Sequence, residues 1–249
     1  MTDSTYSLNA GDTIGKAWDK VYGFKGSIWA AIVITFLVMF CVGFICGLLA
    51  NVSSILTLIV NITGQVASGL LQIGFIYMGI LRAKDMPVSY KDVFHAFEMP
   101  IFLKVVGVYV IQFAIYIPIT LIFIALPLII VGPNAKEIVQ SGFSMGSLLL
   151  VAWFLLGVIA SVYVALRMWI SLGYVLDQNM SAWNAVKMSF NATADNMCAL
   201  MVIILVQIAS VICGALLLGI GLIWAIPFAA IIFGVTYKNL AYGATGAAK

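Results

Sequence analysis

Charged residues are scarce in this chain of 249 residues, of which 8% are charged and 64% hydrophobic. Five stretches contain no charged residue, and together they cover more than half of the length. A water-soluble core of this size does not tolerate such an absence, so lipid is expected around most of the protein. The apolar runs do not alternate with polar residues, which predicts an all-α integral membrane protein and excludes a transmembrane barrel. The five stretches are residues 27–81, 105–135, 138–166, 188–194 and 196–237.

Residues that carry chemistry are equally few. The one histidine, His95, cannot form a metal cluster, and the sequence has no phosphate-binding glycine loop. Asp92, His95 and Glu98 share one helix face, which we interpret as solvated. The four cysteines lie in apolar runs, where thiols usually act as small packing residues. We therefore expect no catalytic, cofactor or metal site, and we expect that the protein is not an enzyme. The net charge of +3 is too small to indicate nucleic-acid binding.

Apolar length and turn residues divide the chain into six predicted transmembrane helices, which form one polytopic membrane domain over residues 1–249. The third span is too long for an upright helix and contains Pro118 and Pro127, so we expect a kink there. The first span is predicted near residues 29–49, and the second follows a turn at Asn51, Ser53 and Ser54 and ends near residue 82. The third and fourth are predicted near residues 104–131 and 145–167. The fifth and sixth meet around Gly219 and Gly221, and the sixth ends near residue 238.

The positive charges lie almost entirely on one side of this arrangement. Eleven Lys and Arg residues fall on the side of the two termini and only Lys136 falls on the other. The positive-inside rule therefore predicts that both termini are cytoplasmic. The N-terminal residues 1–12 lack the features of a secretory signal, so the first apolar run is expected to remain as a span.

A short amphipathic segment precedes each odd-numbered span. Apolar residues recur there at helical spacing, which predicts three interfacial helices with aromatic and aliphatic stripes at the acyl boundary. We interpret the pattern as three repeats of an interfacial helix plus a transmembrane hairpin, at about residues 12–82, 88–176 and 181–243, around a pseudo-threefold axis. The alternative is that any chain re-entering a bilayer uses such a segment. The stripes are Ile14, Ala17, Trp18 and Val21; Tyr90, Val93, Phe94 and Phe97; and Trp183, Val186 and Phe190.

Two groups of polar residues are candidates for function. Amides and hydroxyls form a stripe along span two, which would serve either as a pathway or for packing between helices. Cations at the cytoplasmic ends are candidate contacts for lipid headgroups, where long side chains can snorkel. Gly43 and Gly47 form a Gly-x-x-x-Gly pattern, which is expected to make helix contacts inside the bundle. The stripe comprises Asn61, Gln65, Ser68 and Gln72, and the candidate headgroup contacts are Lys16, Lys20, Lys91, Arg167 and Lys187.

One segment is distinctive. From Asp177 to Asn196 an acidic turn leads into a helix with Ala185, Ser189 and Thr193 at spacings of four, and Gly219, Gly221 and Pro227 follow in the last hairpin. This pattern resembles uncharacterised bacterial six-span membrane proteins similar to the membrane domain found beside some glycerophosphodiester phosphodiesterases. The resemblance covers the third repeat and implies a bacterial inner-membrane protein. It implies no chemistry, and this chain has no soluble phosphodiesterase domain.

Two functional hypotheses follow from these residues. The first is a non-catalytic bacterial inner-membrane protein that supports the envelope or organises lipid, with membrane lipids and a membrane protein as candidate partners. The alternative is a transporter or channel for a small neutral or amphiphilic solute, without ion coupling, that uses the polar stripe of span two.

Overall fold

The computed structural model describes residues 7–49, 52–131, 145–217 and 219–243, and all regular secondary structure in these ranges is helical. Six helices are long and apolar enough to cross a membrane. The chain is therefore an all-α integral membrane protein, as its composition predicts. In chain order the described helices are α1 (Ala10–Asp19), α2 (Lys25–Leu49), α3 (Ser54–Ala83), a 3-10 helix (Tyr90–Phe97), α4 (Met99–Thr120), α5 (Leu126–Val131), α6 (Met145–Met168), α7 (Ser171–Gln178), α8 (Ala182–Thr193), α9 (Met197–Leu216) and α10 (Leu222–Tyr242).

The predicted spans agree with these helices to within a few residues at most ends. The third span shows the predicted irregularity, because a π-helical turn at Leu121–Ala125 joins α4 to α5 between Pro118 and Pro127. Proline has no backbone N–H and cannot donate a hydrogen bond to the preceding turn. A π turn, with its wider hydrogen-bond spacing, accommodates the missing bond. The fourth and fifth spans are longer than predicted, because α7 extends the fourth and α8 leads directly into the fifth. Lys136 lies outside the described residues.

The last helix, α10, lies at the centre of the bundle. In an 18-residue apolar stretch of α10, 67% of the residues are buried, whereas none of the residues in the corresponding stretch of α2 is buried. Phe228, Ile231 and Tyr237 are almost completely enclosed. Both helices are hydrophobic on all faces, so α2 meets lipid on most of its surface while α10 meets protein. The arrangement follows from packing, since lipid and a protein core are equally apolar solvents.

Helices α3 and α10 touch through their backbones. A Cβ atom added at Gly79 would lie 2.0 Å from the carbonyl oxygen of Ala230, and one added at Gly234 would lie 2.2 Å from the carbonyl oxygen of Gly79. No side chain larger than hydrogen fits at either position. Small residues allow this close approach, which increases dispersion contacts between membrane helices that lack a hydrophobic driving force.

The three segments before the odd-numbered spans pack on the bundle. Helix α1 contacts α10, the 3-10 helix contacts α3, and α8 contacts α7 and α4. The second segment is a 3-10 helix. It begins with a capping box of Ser89 and Asp92, which the presence of an acidic residue three positions after a serine predicts. Its backbone lies against Gly74, where a Cβ atom would meet the carbonyl oxygen of Val93 at 1.9 Å. Each segment thus contacts the even-numbered span that precedes it, if the last span is counted as preceding the first.

The predicted apolar stripes are divided between two environments. Ala17, Val21, Val93 and Val186 are buried against the bundle, so these side chains do not face the acyl boundary as expected. The bulky aromatic members point outward, with Trp18 46% and Trp183 67% exposed. Small and branched residues of the stripes therefore pack against protein, and large aromatic residues remain available to the membrane interface.

Two expectations about packing are wrong. Nothing lies within 4 Å of a Cβ atom built at Gly43 or Gly47, so this Gly-x-x-x-Gly pattern makes no contact inside the described bundle. Cys41, Cys198 and Cys213 are exposed on the outer surface and so do not pack in its interior. Spacing identified small residues correctly but did not indicate which helix face meets protein.

The contact between α3 and α10 predicts a stability difference between two glycine substitutions. Gly79→Ala should destabilise the protein by about 1–3 kcal/mol or more, because the added methyl group forces the two backbones apart. Gly43→Ala is the matched control, since its methyl group enters open space and helix propensity favours alanine by about 0.5–1 kcal/mol. Thermal unfolding in detergent measures both, and equal midpoints would contradict the close backbone contact.

Candidate functional site

The candidate headgroup cations occupy different environments. Lys16 forms an ion pair with Asp12 at 2.7 Å, and Lys20 pairs with Asp85. Lys91 is exposed beside the cap of the 3-10 helix. Lys187 is exposed on α8, and the guanidinium of Arg167 stacks on aromatic rings at the end of α6. Lys16 and Lys20 are thus partly compensated by carboxylates, whereas Arg167 and Lys187 belong to a different surface.

A polar cluster joins the C-terminal ends of three even-numbered spans. The carboxylate of Asp177, 6% exposed, accepts a charged hydrogen bond from Lys84 at 2.7 Å. The hydroxyl of Tyr237 donates to the same carboxylate at 3.0 Å, and that of Tyr242 donates to it as well. Gln178 donates in turn to the Tyr237 hydroxyl at 3.0 Å. The buried charge is therefore satisfied by three donors from two other helical segments, which ties α3, α7 and α10 together.

The pKa of Lys84 depends on this arrangement. Burial alone would lower the pKa of the Lys84 ammonium, but the hydrogen bond and the charge of Asp177 outweigh burial and raise it. Nearby, the hydrogen bond from Lys20 lowers the pKa of Asp85. Each shift favours the charged form of its group, the ammonium of Lys84 and the carboxylate of Asp85.

The sequence pattern does not predict this cluster. Asp177 pairs with Lys84, which lies 93 positions away along the chain. A contact between distant residues leaves no trace in local spacing, so only an alignment of related sequences would reveal it.

A groove of about 740 Å³ lies between α3 and α4. Its floor is formed by the buried residues Leu70, Ile73 and Val105, and its rim includes the exposed Val110 and Phe113. The groove therefore opens sideways from the bundle toward the bilayer. The 3-10 helix and α7 each contact both α3 and α4, and so connect the two helices. Gly69, Tyr109, Gln112 and Tyr116 also line the groove, which we call the α3–α4 groove.

The polar stripe of span two lies on the outer surface of α3. Asn61, Gln65 and Gln72 are exposed and Ser68 is partly exposed. The hydrogen bonds of the stripe are local, because Asn61 donates to its own helix at Thr57 and Gln72 donates to Ser68 at 3.5 Å. A pathway or an interhelical contact at this stripe would therefore need a second surface beyond the described residues. Both interpretations stay predictions.

The single histidine lies at the edge of the bundle. The ring of His95 stacks on Tyr77 with 4.0 Å between ring centres, and its Nδ1 atom lies 3.0 Å from the carboxylate of Glu98. Asp92 accepts a hydrogen bond from the backbone of Ser89. Among the described residues no group of three or more His, Cys, Asp or Glu side chains could hold a metal ion.

The chain was compared with protein-family models, with curated proteins and with solved structures, and none of the three comparisons finds a match. The resemblance to membrane domains found beside glycerophosphodiester phosphodiesterases therefore stays a prediction. The functional argument depends on the geometry of the chain itself.

The Asp177 cluster predicts how stability depends on pH and on Lys84. Lys84→Ala leaves a buried carboxylate short of its charged donor and should cost about 1–3 kcal/mol or more. Lys20→Ala is the control, because its partner Asp85 has a 67% exposed side chain, and it should cost about 0–1 kcal/mol. The folded pKa of Lys84 is raised, so its contribution is complete below the unfolded value of about 10.4 and is lost as pH rises through the folded value.

Thermal unfolding of the two variants between neutral and strongly alkaline pH measures this prediction. The stability of the wild type should fall at alkaline pH more steeply than that of Lys84→Ala. Parallel pH profiles, or equal losses in the Lys84 and Lys20 variants, would show that the Lys84–Asp177 pair does not contribute as described.

Proposed function

We propose that this protein is a non-catalytic membrane protein that binds and organises lipid, and that the α3–α4 groove holds the acyl chains of its ligand. The observation that carries the proposal is the groove itself, which is lined mainly by apolar side chains of α3 and α4 and opens sideways. Its volume of about 740 Å³ falls within the usual range of ligand-binding sites, roughly 300–1,000 Å³.

The chemistry of the groove favours an acyl chain over a polar solute. Val66, Leu70, Ile73 and Val105 offer only hydrocarbon, and a chain lying against them would retain the dispersion contacts that it makes in the bilayer. Gln112 and the tyrosines supply a few hydrogen-bonding groups that can orient a glycerol backbone. A groove of this kind selects lipid by shape and by a small number of polar contacts.

We place the protein in the bacterial inner membrane with both termini in the cytoplasm. The described Lys and Arg residues at the cytoplasmic ends support this orientation, and the resemblance of residues 177–196 supports the compartment. The segments that precede the odd-numbered spans serve as interfacial helices of three repeated units. Two observations support this role. Each segment contacts the even-numbered span that precedes it, with the last span counted as preceding the first. The aromatic residues Trp18 and Trp183 point outward.

Reporter fusions test the orientation. A fluorescent protein fused at the C-terminus should fold and fluoresce in the cytoplasm, whereas alkaline phosphatase at the same position should be inactive. Insertion of the two reporters between residues 132 and 144 should give the reverse pattern. An active phosphatase at the C-terminus would overturn the proposed topology.

A membrane-protein partner remains part of the proposal, because the outward stripe of α3 offers amide groups at bilayer depth. Amides exposed to lipid gain from a hydrogen-bonding partner on another helix, by about 0.6–2 kcal/mol for each contact. Gln65 and Gln72 are two helical turns apart, so one transmembrane helix could meet both. Binding of lipid in the groove and of a partner at the stripe would together give a scaffold.

Filling the groove tests the proposal. Gly69 lines the groove and has open space where its Cβ would lie, so Gly69→Leu should fold normally and place a side chain inside the groove. Native mass spectrometry of the protein released from membrane vesicles should then show fewer retained lipids than the wild type. Gly43→Leu is the matched control, because its side chain also enters open space but lies on α2, away from the groove. Unchanged lipid retention in Gly69→Leu would contradict lipid binding in the groove.

The transport hypothesis makes a different prediction for the same preparation. If the stripe lines a pathway, Gln65→Leu combined with Gln72→Leu abolishes solute flux into proteoliposomes. In our proposal the double change leaves lipid retention and folding of the monomer unaltered, because both side chains face outward. Loss of a measured flux in the double variant would favour transport.

A further inference from the structure

A second, narrower groove lies on the other side of α4, between α4 and α8. It has a volume of about 240 Å³, with Ile111 and Ile115 of α4 forming one wall. Trp183, Val186 and Phe190 form the opposite wall, and Lys187 and Asn191 supply its polar groups. The groove therefore combines an apolar slot for hydrocarbon with a cation and an amide at its edge. We call it the α4–α8 groove.

A second cation stands behind this groove. The guanidinium of Arg167 lies 5.1 Å from the ring centre of Phe190, which lines the groove, and 5.7 Å from that of Tyr163. Its Nε atom is buried and has no hydrogen-bond partner among the described residues. A guanidinium that stacks on aromatic rings keeps its N–H donors in its own plane, where they can bind an oxyanion.

The position of Arg167 is fixed by its own backbone. The hydroxyl of Ser189 donates to the carbonyl oxygen of Arg167 at 2.6 Å, and the hydroxyl of Thr193 reaches the same atom at 3.5 Å. Both hydroxyls belong to α8, the helix that carries Lys187 and Phe190. The end of α6 is thus held against α8, the helix that carries Lys187 and lines the groove.

In the part of the chain that the structure describes, no carboxylate forms an ion pair with Arg167 or Lys187. The ion pairs of the described residues involve Lys16, Lys20, Lys84 and His95 and leave out Arg167 and Lys187. Asp195, an acidic residue close by in the sequence, is exposed to solvent. A pair of uncompensated cations beside an apolar slot attracts an anion that carries hydrocarbon.

We propose that the α4–α8 groove binds the phosphate headgroup of an anionic glycerophospholipid, with Lys187 and Arg167 as the phosphate-binding residues. The acyl chain would run along Ile111 and Ile115, and Asn191 would donate a hydrogen bond to a headgroup oxygen. The inference extends the proposed lipid binding to a second site and to one headgroup class. It concerns the face of α4 opposite the α3–α4 groove, so the two sites can fail separately.

Lipid competition tests the headgroup site. The protein is placed in nanodiscs containing equal amounts of phosphatidylglycerol and phosphatidylcholine, and native mass spectrometry then measures the ratio of the two lipids that remain bound. The wild type should retain phosphatidylglycerol preferentially. Lys187→Gln should reduce this preference about fivefold, and Lys187→Gln with Arg167→Gln should reduce it further, since each cation near the surface contributes on this scale.

Matched variants separate charge from folding. Lys187 is exposed, so Lys187→Gln and the charge-preserving Lys187→Arg should unfold at the wild-type temperature, and Lys187→Arg should keep the preference. Lys25→Gln is the control for general charge, because Lys25 is a cation at the start of α2 and does not line the groove. If Lys25→Gln lowers the preference as much as Lys187→Gln, the effect is nonspecific attraction and the site is refuted.

Two further outcomes decide the ligand. Millimolar inorganic phosphate that displaces phosphatidylglycerol from the wild type would show a site for free phosphate, and it would overturn the assignment to lipid. Equal retention of the two lipids by the wild type would also overturn it. Gly69→Leu should lower the total number of bound lipids without lowering the preference for phosphatidylglycerol, so a failure of the α3–α4 groove remains distinguishable from a failure of this site.

Discussion

Gly79 and Gly234 let the backbones of α3 and α10 touch, and this contact determines where the other helices lie. Because lipid is as apolar as a protein core, membrane helices associate through close packing and hydrogen bonds. Once α10 is held against α3, its large side chains, such as Phe228 and Ile231, become the core for its neighbours. Helix α1 and the hairpin partner α9 both pack on α10. The outer helices α2, α4 and α6 can then remain largely in contact with lipid.

Polar groups stabilise the same arrangement where the helices end. Asp177 brings together α7, the end of α3 and α10 through three donors, so the tight backbone contact lies beneath a hydrogen-bonded cluster. The 3-10 helix and α7 each contact both α3 and α4, and the α3–α4 groove lies between these two helices. The groove is open to lipid because exposed side chains such as Val110 and Phe113 form part of its lining.

Hydrophobicity predicted much of the fold because span length and turn residues are local properties. The six spans, the irregular third span at Pro118 and Pro127, and the capping box at Ser89 were all predicted from neighbouring residues. The central position of α10 was not predicted, because a helix that is apolar on all faces has the same sequence whether it meets lipid or protein. The Asp177 cluster and both grooves were missed for the related reason that they join residues distant in the chain. The outward position of the polar stripe was not predicted either, because the sequence does not indicate which face of α3 meets α2.

The central helix is synthesised after the other described helices, and this order constrains how the protein is made. At about 5–20 residues per second, the ribosome takes on the order of ten seconds to travel from Gly79 to Gly234. During this interval α3 has no α10 to pack on, so the surface of the first hairpin that will contact α10 is exposed to lipid. Helix α1 also lacks its partner, because the amide of Asn239 in α10 donates a hydrogen bond to the hydroxyl of Thr13 in α1. Helix α10 therefore joins the bundle after α1 and α3 are already in place. A chain that stops before α10 lacks the core of the bundle.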